Sequence, residues 1–243
     1  MGELFGVERE SYPFELFSVS HMLMLAISIS LIFVLYFFKN RIRKNHATLI
    51  RNVLIITLIL SEVSFHSWFI INDRWDVNLN LPLQLCSISL YLCTFMLITK
   101  NYRAFEVAFF ISMTGALIAI ITPELFFGYP HLRFFQFFIA HIAIVLSCFY
   151  MLWVEQFKPT FKSVIRSFVV LNLIALFVFM INQWIGSNYM FLSRKPSNAS
   201  VIDFLGPYPW YILSLEAVAL ILFTIIFFLI KIRKLLNLHR SIY

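Results

Sequence analysis

Charge is what this sequence has least of. Only 13% of its 243 residues are Asp, Glu, Lys or Arg, about half the share with which a soluble domain covers its surface. Water is thereby excluded as the solvent for most of the molecule. Cysteine is scarce as well: Cys86, Cys93 and Cys148 lie in apolar segments and form no CxxC pair, which excludes a disulfide framework and a cysteine-rich metal centre. Several catalytic signatures are missing, namely GxSxG, HExxH, a P-loop and GxGxxG. No His is followed at the fifth position by Asp, the pairing of soluble-type acyl-CoA acyltransferases. The start is acidic rather than basic, with Glu3, Glu8, Glu10 and Glu15 against a single Arg9 before the first apolar run; a cleavable signal peptide begins with basic residues, so an uncleaved chain is expected.

What is present is apolar: 61% of residues are hydrophobic and 29 are Phe. Runs long enough to cross about 30 Å of hydrocarbon fall at roughly 17–38, 49–71, 82–99, 104–122, 134–154, 164–186 and 208–230. All eight prolines fall at the ends of these runs or between them, as they must if the interiors are helical. The expectation is an all-α polytopic membrane protein, a bundle of seven transmembrane helices in one domain, 1–243. Alternate segments carry 14 and 5 of the 19 Lys and Arg residues. The richer set (39–51, 100–103, 155–166 and 231–243) belongs in the cytoplasm, which predicts N-out and C-in. Trp68, Trp75, Trp184 and Trp210 then fall at the outer interface. The net charge of +7 is accounted for by these clusters and by anionic lipid, and nucleic acid is not expected as a partner. Asn198-Ala199-Ser200 is an outward glycosylation sequon, but the Phe, Ile, Asn and Lys bias favours a bacterial plasma membrane. With GxxxG absent, helix contacts are expected to rest on aromatic and branched side chains.

Polar groups inside a span are costly, roughly 2.5–3.5 kcal/mol for a charge at the helix centre, so their depth carries information. His21, Glu62, His66, Gln84, Cys86, Gln136, His141, Asn182, Gln183 and Glu216 all fall in the outer halves of their spans, and His131 in the outer loop 123–133. His21 reads as interfacial and His131 as solvent-exposed. Glu62 and His66 share a helix face, a pattern that fits a structural hydrogen bond as well as chemistry. Cys93 and Cys148 read as small hydrophobes. Cys86 differs, because the third span enters from outside and Cys86 lies within about its first turn. There the helix dipole and the free N–H groups favour a thiolate and an oxyanion. His141 lies at similar depth as a candidate base, and adjacency of the third and fifth spans is the condition for that role. A metal site from Glu62, His66, His141 and Glu216 lacks diagnostic spacing, so no metal and no cofactor is expected.

The segments Leu81-Pro82-Leu83-Gln84-Leu85-Cys86, Thr122-Pro123-Glu124, Tyr129-Pro130-His131 and Asp203-Phe204-Leu205-Gly206-Pro207-Tyr208-Pro209-Trp210 occur in an order that resembles the transmembrane-protein-164 (YwaF-like) family. That resemblance implies acyltransferase activity on phospholipids through a Cys nucleophile and a His. It carries the nucleophile to Cys86 and the His to His141, with His131 as competitor. Gln84, His66, Glu62, Gln136 and Glu216 are candidates for orienting substrate or assisting catalysis. An outer-leaflet site cannot reach cytosolic acyl-CoA, so the expected reaction is transacylation, from a donor phospholipid to a lysophospholipid through an acyl-thioester. Two other readings stay open: a lipid hydrolase with the same pair, and a non-enzymatic seven-helix receptor or transporter with a Glu62–His66 site.

Overall fold

The computed structural model describes residues 2–8, 11–196 and 201–239; the sequon at 198–200 and the end of the basic tail lie outside them. Among the described residues the secondary structure is helical, with a single isolated bridge between Pro13 and Phe127 in place of strands. Five helical stretches are long and apolar enough to cross a membrane: Val19–Ile71, Tyr102–Ile121, Leu132–Trp153, Phe161–Ile185 and Trp210–Lys231. Leu85–Thr99 is a shorter apolar helix. The first stretch is two helices, α2 (Val19–Arg41) and α3 (Ala47–Ile71), joined by a π-helical turn over Ile42–His46 where the sequence suggests a plain loop. Large apolar side chains cover the outside, among them Val19, Phe37 and Leu173, as expected for a surface solvated by lipid.

The chain divides into two compact units, Met1–Phe157 and Lys158–Tyr243, with no linker composition to mark the division. The first unit holds a short α1 (Gly2–Phe5), then α2, α3, α4 (Leu85–Thr99), α5 (Tyr102–Ile121) and α6 (Leu132–Trp153). Its centre is α5 and α6, of which 61% is buried in each case, against 22% for the α2–α3 stretch. Phe105, Phe109, Phe110, Phe134 and Phe138 form this core with ring centroids about a ring's width apart, for instance 4.9 Å between Phe134 and Phe138. Helix α6 packs against α2, α3, α4 and α5 alike.

Local chemistry sets the helix ends. Lys100, in left-handed conformation, closes α4, and the next residue, Asn101, caps α5 by accepting from the Arg103 and Ala104 N–H groups. This two-residue turn makes α4 and α5 antiparallel neighbours, and α4 and α6 therefore run parallel. At the end of the unit where α4 and α6 begin, the N-terminal segment folds back as a strap. The Phe5 carbonyl accepts from Trp68 Nε1 (2.9 Å), the Gly6 carbonyl from His131 Nε2 (3.0 Å), and Gly128 N–H donates to the Tyr12 carbonyl (2.7 Å). The opposite end is cross-linked more heavily. Arg43 donates to the carbonyls of Val154 (2.9 Å) and Trp153 (2.6 Å), the Tyr150 hydroxyl reaches the Ala47 carbonyl and Glu155, and Lys100 pairs with Glu155 at 2.6 Å.

In the second unit, α7 (Phe161–Ile185) opens with a Thr160–Ser163 capping box and closes on Gly186 at φ 76°. Helix α8 (Trp210–His239) packs against it. Asn182 fastens the following turn, bonding both the N–H and the carbonyl of Tyr189 and the Ser187 hydroxyl.

Candidate functional site

Two of the four histidines grouped by depth are structural, and both depart from expectation. His21 is fully buried rather than interfacial. Its Nδ1 accepts from the Phe17 N–H (3.0 Å), so Nε2 carries the proton and donates to the Ile120 carbonyl (3.0 Å). His131 is likewise buried, not solvent-exposed, because the strap covers the loop that carries it. Its Nδ1 accepts from the Arg133 N–H (3.1 Å) and caps α6, its Nε2 donates to Gly6, and its ring stacks on Phe127 at 4.1 Å. Burial, with the Arg133 charge behind it, pushes His131 below its usual pKa. Neither ring has a lone pair left to take a substrate's proton.

His141 is different. Its Nδ1 faces the Phe137 carbonyl at 2.7 Å; a carbonyl only accepts, so Nδ1 carries the hydrogen and Nε2 the lone pair. That Nε2 is buried and has no hydrogen-bond partner. A buried basic nitrogen left unmatched costs about 1–3 kcal/mol of desolvation, and such exceptions call for an explanation. A reacting group is one.

The thiol belongs to the neighbouring helix α4. Cys86 is the second residue of α4, whose N-cap, Gln84, makes no side-chain cap bond, and it is half-buried as a free thiol. Deeper in the unit, Cys93 on α4 meets Cys148 on α6, sulfur to sulfur at 4.0 Å. Seven residues, two turns, lead outward from Cys93 to Cys86, and the same step leads from Cys148 to His141. On parallel helices equal steps keep residues level and on the facing stripe. Helix α5 gives the same level independently, since Leu85 lies beside Gly115 and Cys148 points at the Phe109 carbonyl. Cys86 and His141 make no hydrogen bond to each other.

Carboxylates flank the thiol. Its charged neighbours are Glu124, in the loop between α5 and α6, and Glu62 of α3. Burial pushes the Glu124 carboxyl up, which makes it a better proton acceptor once ionised. Glu62 lies 3.4 Å from His66 Nε2, and His66 Nδ1 accepts from Trp75 Nε1 at 3.3 Å. Arg133 and Gln136 of α6 complete the surroundings: Arg133 Nη1 donates to Gln136 Oε1, and Gln136 Nε2 donates to the Ser61 carbonyl (3.1 Å). The Arg133 charge acts on His141, and Glu62 is the carboxylate that acts on Arg133.

Glu216 belongs to the second unit, where its Oε2 accepts from Asn172 at 2.7 Å. Sequence reasoning missed Asn172, Glu124 and Arg133. Asn172 had a signal, an amide inside an apolar run, and Glu124 lay in the Thr122-Pro123-Glu124 segment of the resemblance without being singled out; Arg133, beside a loop, had none. Among the described residues no three His, Cys, Asp or Glu side chains gather to hold a metal.

No curated protein and no solved structure matches this chain. The match that exists runs over residues 16–227, from just before α2 to far along α8, and on it the chain belongs to the TMEM164 family.

Proposed function

We propose that the protein is a seven-helix membrane phospholipid transacylase, N-terminus outside, whose Cys86 and His141 act in the outer leaflet of a cell membrane, that of a bacterium on composition. The observation that carries this reading is the unpartnered Nε2 of His141, level with Cys86 on the α4–α6 seam. The Cys86 S–H gives its proton to His141 Nε2 as the sulfur attacks the ester carbonyl of a donor phospholipid. The C–O bond breaks, the leaving alkoxide takes the proton from His141, and a lysolipid departs from an acyl-thioester. A lysophospholipid hydroxyl then surrenders its proton to the same nitrogen, attacks the thioester, and the Cys86 sulfur leaves and is reprotonated. The free N–H groups of the first turn of α4 are available to the oxyanion, and apolar walls limit hydrolysis. Glu124 is the reserve acceptor for the thiol proton.

The test is purified protein with a labelled donor phospholipid and an unlabelled lysophospholipid. New labelled diacyl lipid is expected, abolished in Cys86→Ala and reduced about 10²–10⁴-fold in His141→Ala, with both variants folded. Free fatty acid alone makes the protein a hydrolase. The Trp75–His66–Glu62 chain favours a second, non-nucleophile reading, a receptor or transporter centred on Glu62; unchanged lipid turnover in Cys86→Ala, with loss in Glu62→Gln, selects it and sinks the first.

A further inference from the structure

Among the described residues Arg133 has no counter-ion within ion-pair distance; the carboxylate nearest in effect, Glu62, approaches His66 Nε2 at 3.4 Å instead. A guanidinium offers five N–H donors, and the side-chain partner found here is one neutral amide oxygen, that of Gln136. None of the remaining donors is among the fully sealed, unpartnered atoms of the described residues. The flat face of the group is fixed meanwhile, 4.4 Å above the Phe65 ring with Phe69 at 5.3 Å. Gln136 is itself held by the Ser61 carbonyl. The result is a pre-oriented fork with charge to spare at the strap end of α6, where a headgroup layer meets the helix.

Spacing supplies the second observation. Arg133, Phe137 and His141 follow at i, i+4 and i+8 on one stripe of α6. The guanidinium is drawn inward to Gln136 while the imidazole folds back over Phe137, ring to ring at 4.1 Å. The two heads thus approach each other across the turn between them, closer than the roughly 12 Å that eight residues span along the axis. In a glycerophospholipid the phosphate and the acyl ester are joined by the short glycerol unit, within that span.

We propose that Arg133, oriented by Gln136, binds the phosphate of a glycerophospholipid and so delivers its ester, or in a lysolipid its free hydroxyl, to the level of Cys86 and His141. This rests on the acyl-transfer reading, but its test does not require turnover. Full-length Cys86→Ala protein in neutral-detergent micelles is given two fluorescent probes with one acyl chain in common, a lysophosphatidylcholine and a monoacylglycerol. The phosphate-bearing probe is expected to bind at least about tenfold more tightly, the scale of one charge-assisted contact. Adding Arg133→Gln removes that advantage and leaves the monoacylglycerol unchanged. Gln136→Leu, which frees the fork without deleting it, lowers the advantage partway and serves where Arg133→Gln fails to fold. Equal loss of both probes, or loss of neither, overturns the proposal. So does displacement of the lysolipid by excess inorganic phosphate, which marks a general anion site. Failure of acyl transfer in the unmutated protein, with the Arg133-dependent preference intact, sinks the reaction alone.

Discussion

Gly128 is where the strap meets the loop between α5 and α6, and replacing it with Ala tests how tightly that end is closed. A Cβ there stands 2.5 Å from the Pro13 carbonyl oxygen, 3.1 Å from its carbon and 3.3 Å from Phe14 Cα. All three are backbone atoms, so no rotamer relieves the contact and the two segments must part. Parting them breaks the Gly128-to-Tyr12 bond and the Phe14-to-Phe126 bond, 2.7 and 3.3 Å long. At about 0.5–1.5 kcal/mol each, the docked strap loses about 1–3 kcal/mol. That lowers the ratio of docked to undocked strap by a factor of about 5–150. Amide hydrogen exchange in detergent reads it directly. Protection at Phe14 and Gly128 is expected to fall by that factor, while the Phe157 amide, bonded to Met151 at the opposite end, keeps its own. Unchanged protection at Phe14 refutes the close approach.

His131 gives a pH signature. Its folded pKa is lowered from an ordinary value of about 6.5, so between the two the unfolded chain holds more protons and stability rises with pH. The melting temperature is expected to be flat above about pH 7 and to fall as the pH drops through the folded value; His131→Gln removes the slope, and a slope that persists assigns it elsewhere. In the second unit, Asn172→Leu deletes the bond to Glu216 and is expected to destabilise the α7–α8 pair by about 0.6–2 kcal/mol, read as a lowered melting temperature; an unchanged one denies the bond any net contribution. A maleimide reagent is expected to label Cys86 alone, since Cys93 and Cys148 are fully buried; intact-mass analysis showing two or three adducts on folded protein contradicts the packing of α4 on α6.

What the sequence made legible is local. Long apolar runs with prolines at their edges coincide with helices, although α8 runs on to His239 past the run at 208–230, and Cys86 lies in the first turn of its helix. The histidines misled because their surroundings are not local. His131 looked exposed beside Tyr129-Pro130, yet it is buried by a segment some 125 residues earlier, and His21 is sealed by a carbonyl 99 residues later. Glu216 shared a depth with Glu62 without sharing a unit. One long-range clue was present and unread: Cys86 and Cys93 are seven apart, as are His141 and Cys148, a matched spacing that two parallel helices in contact convert into two rungs of one ladder.

The two ends of the first unit are closed by unequal means. At one, ionic and side-chain bonds tie α6 to the α2–α3 turn and to the start of α5. At the other, a peptide strap hangs by single bonds, from Trp68 and His131 to its carbonyls and two between main chains, and the helices beneath it, α3, α4 and α6, carry the candidate chemistry. Local opening follows the weaker seal. The strap end is therefore where the first unit opens most readily, and under the proposed acyl transfer it is the side from which a two-tailed lipid would load, with the heavily cross-linked end as the fixed one.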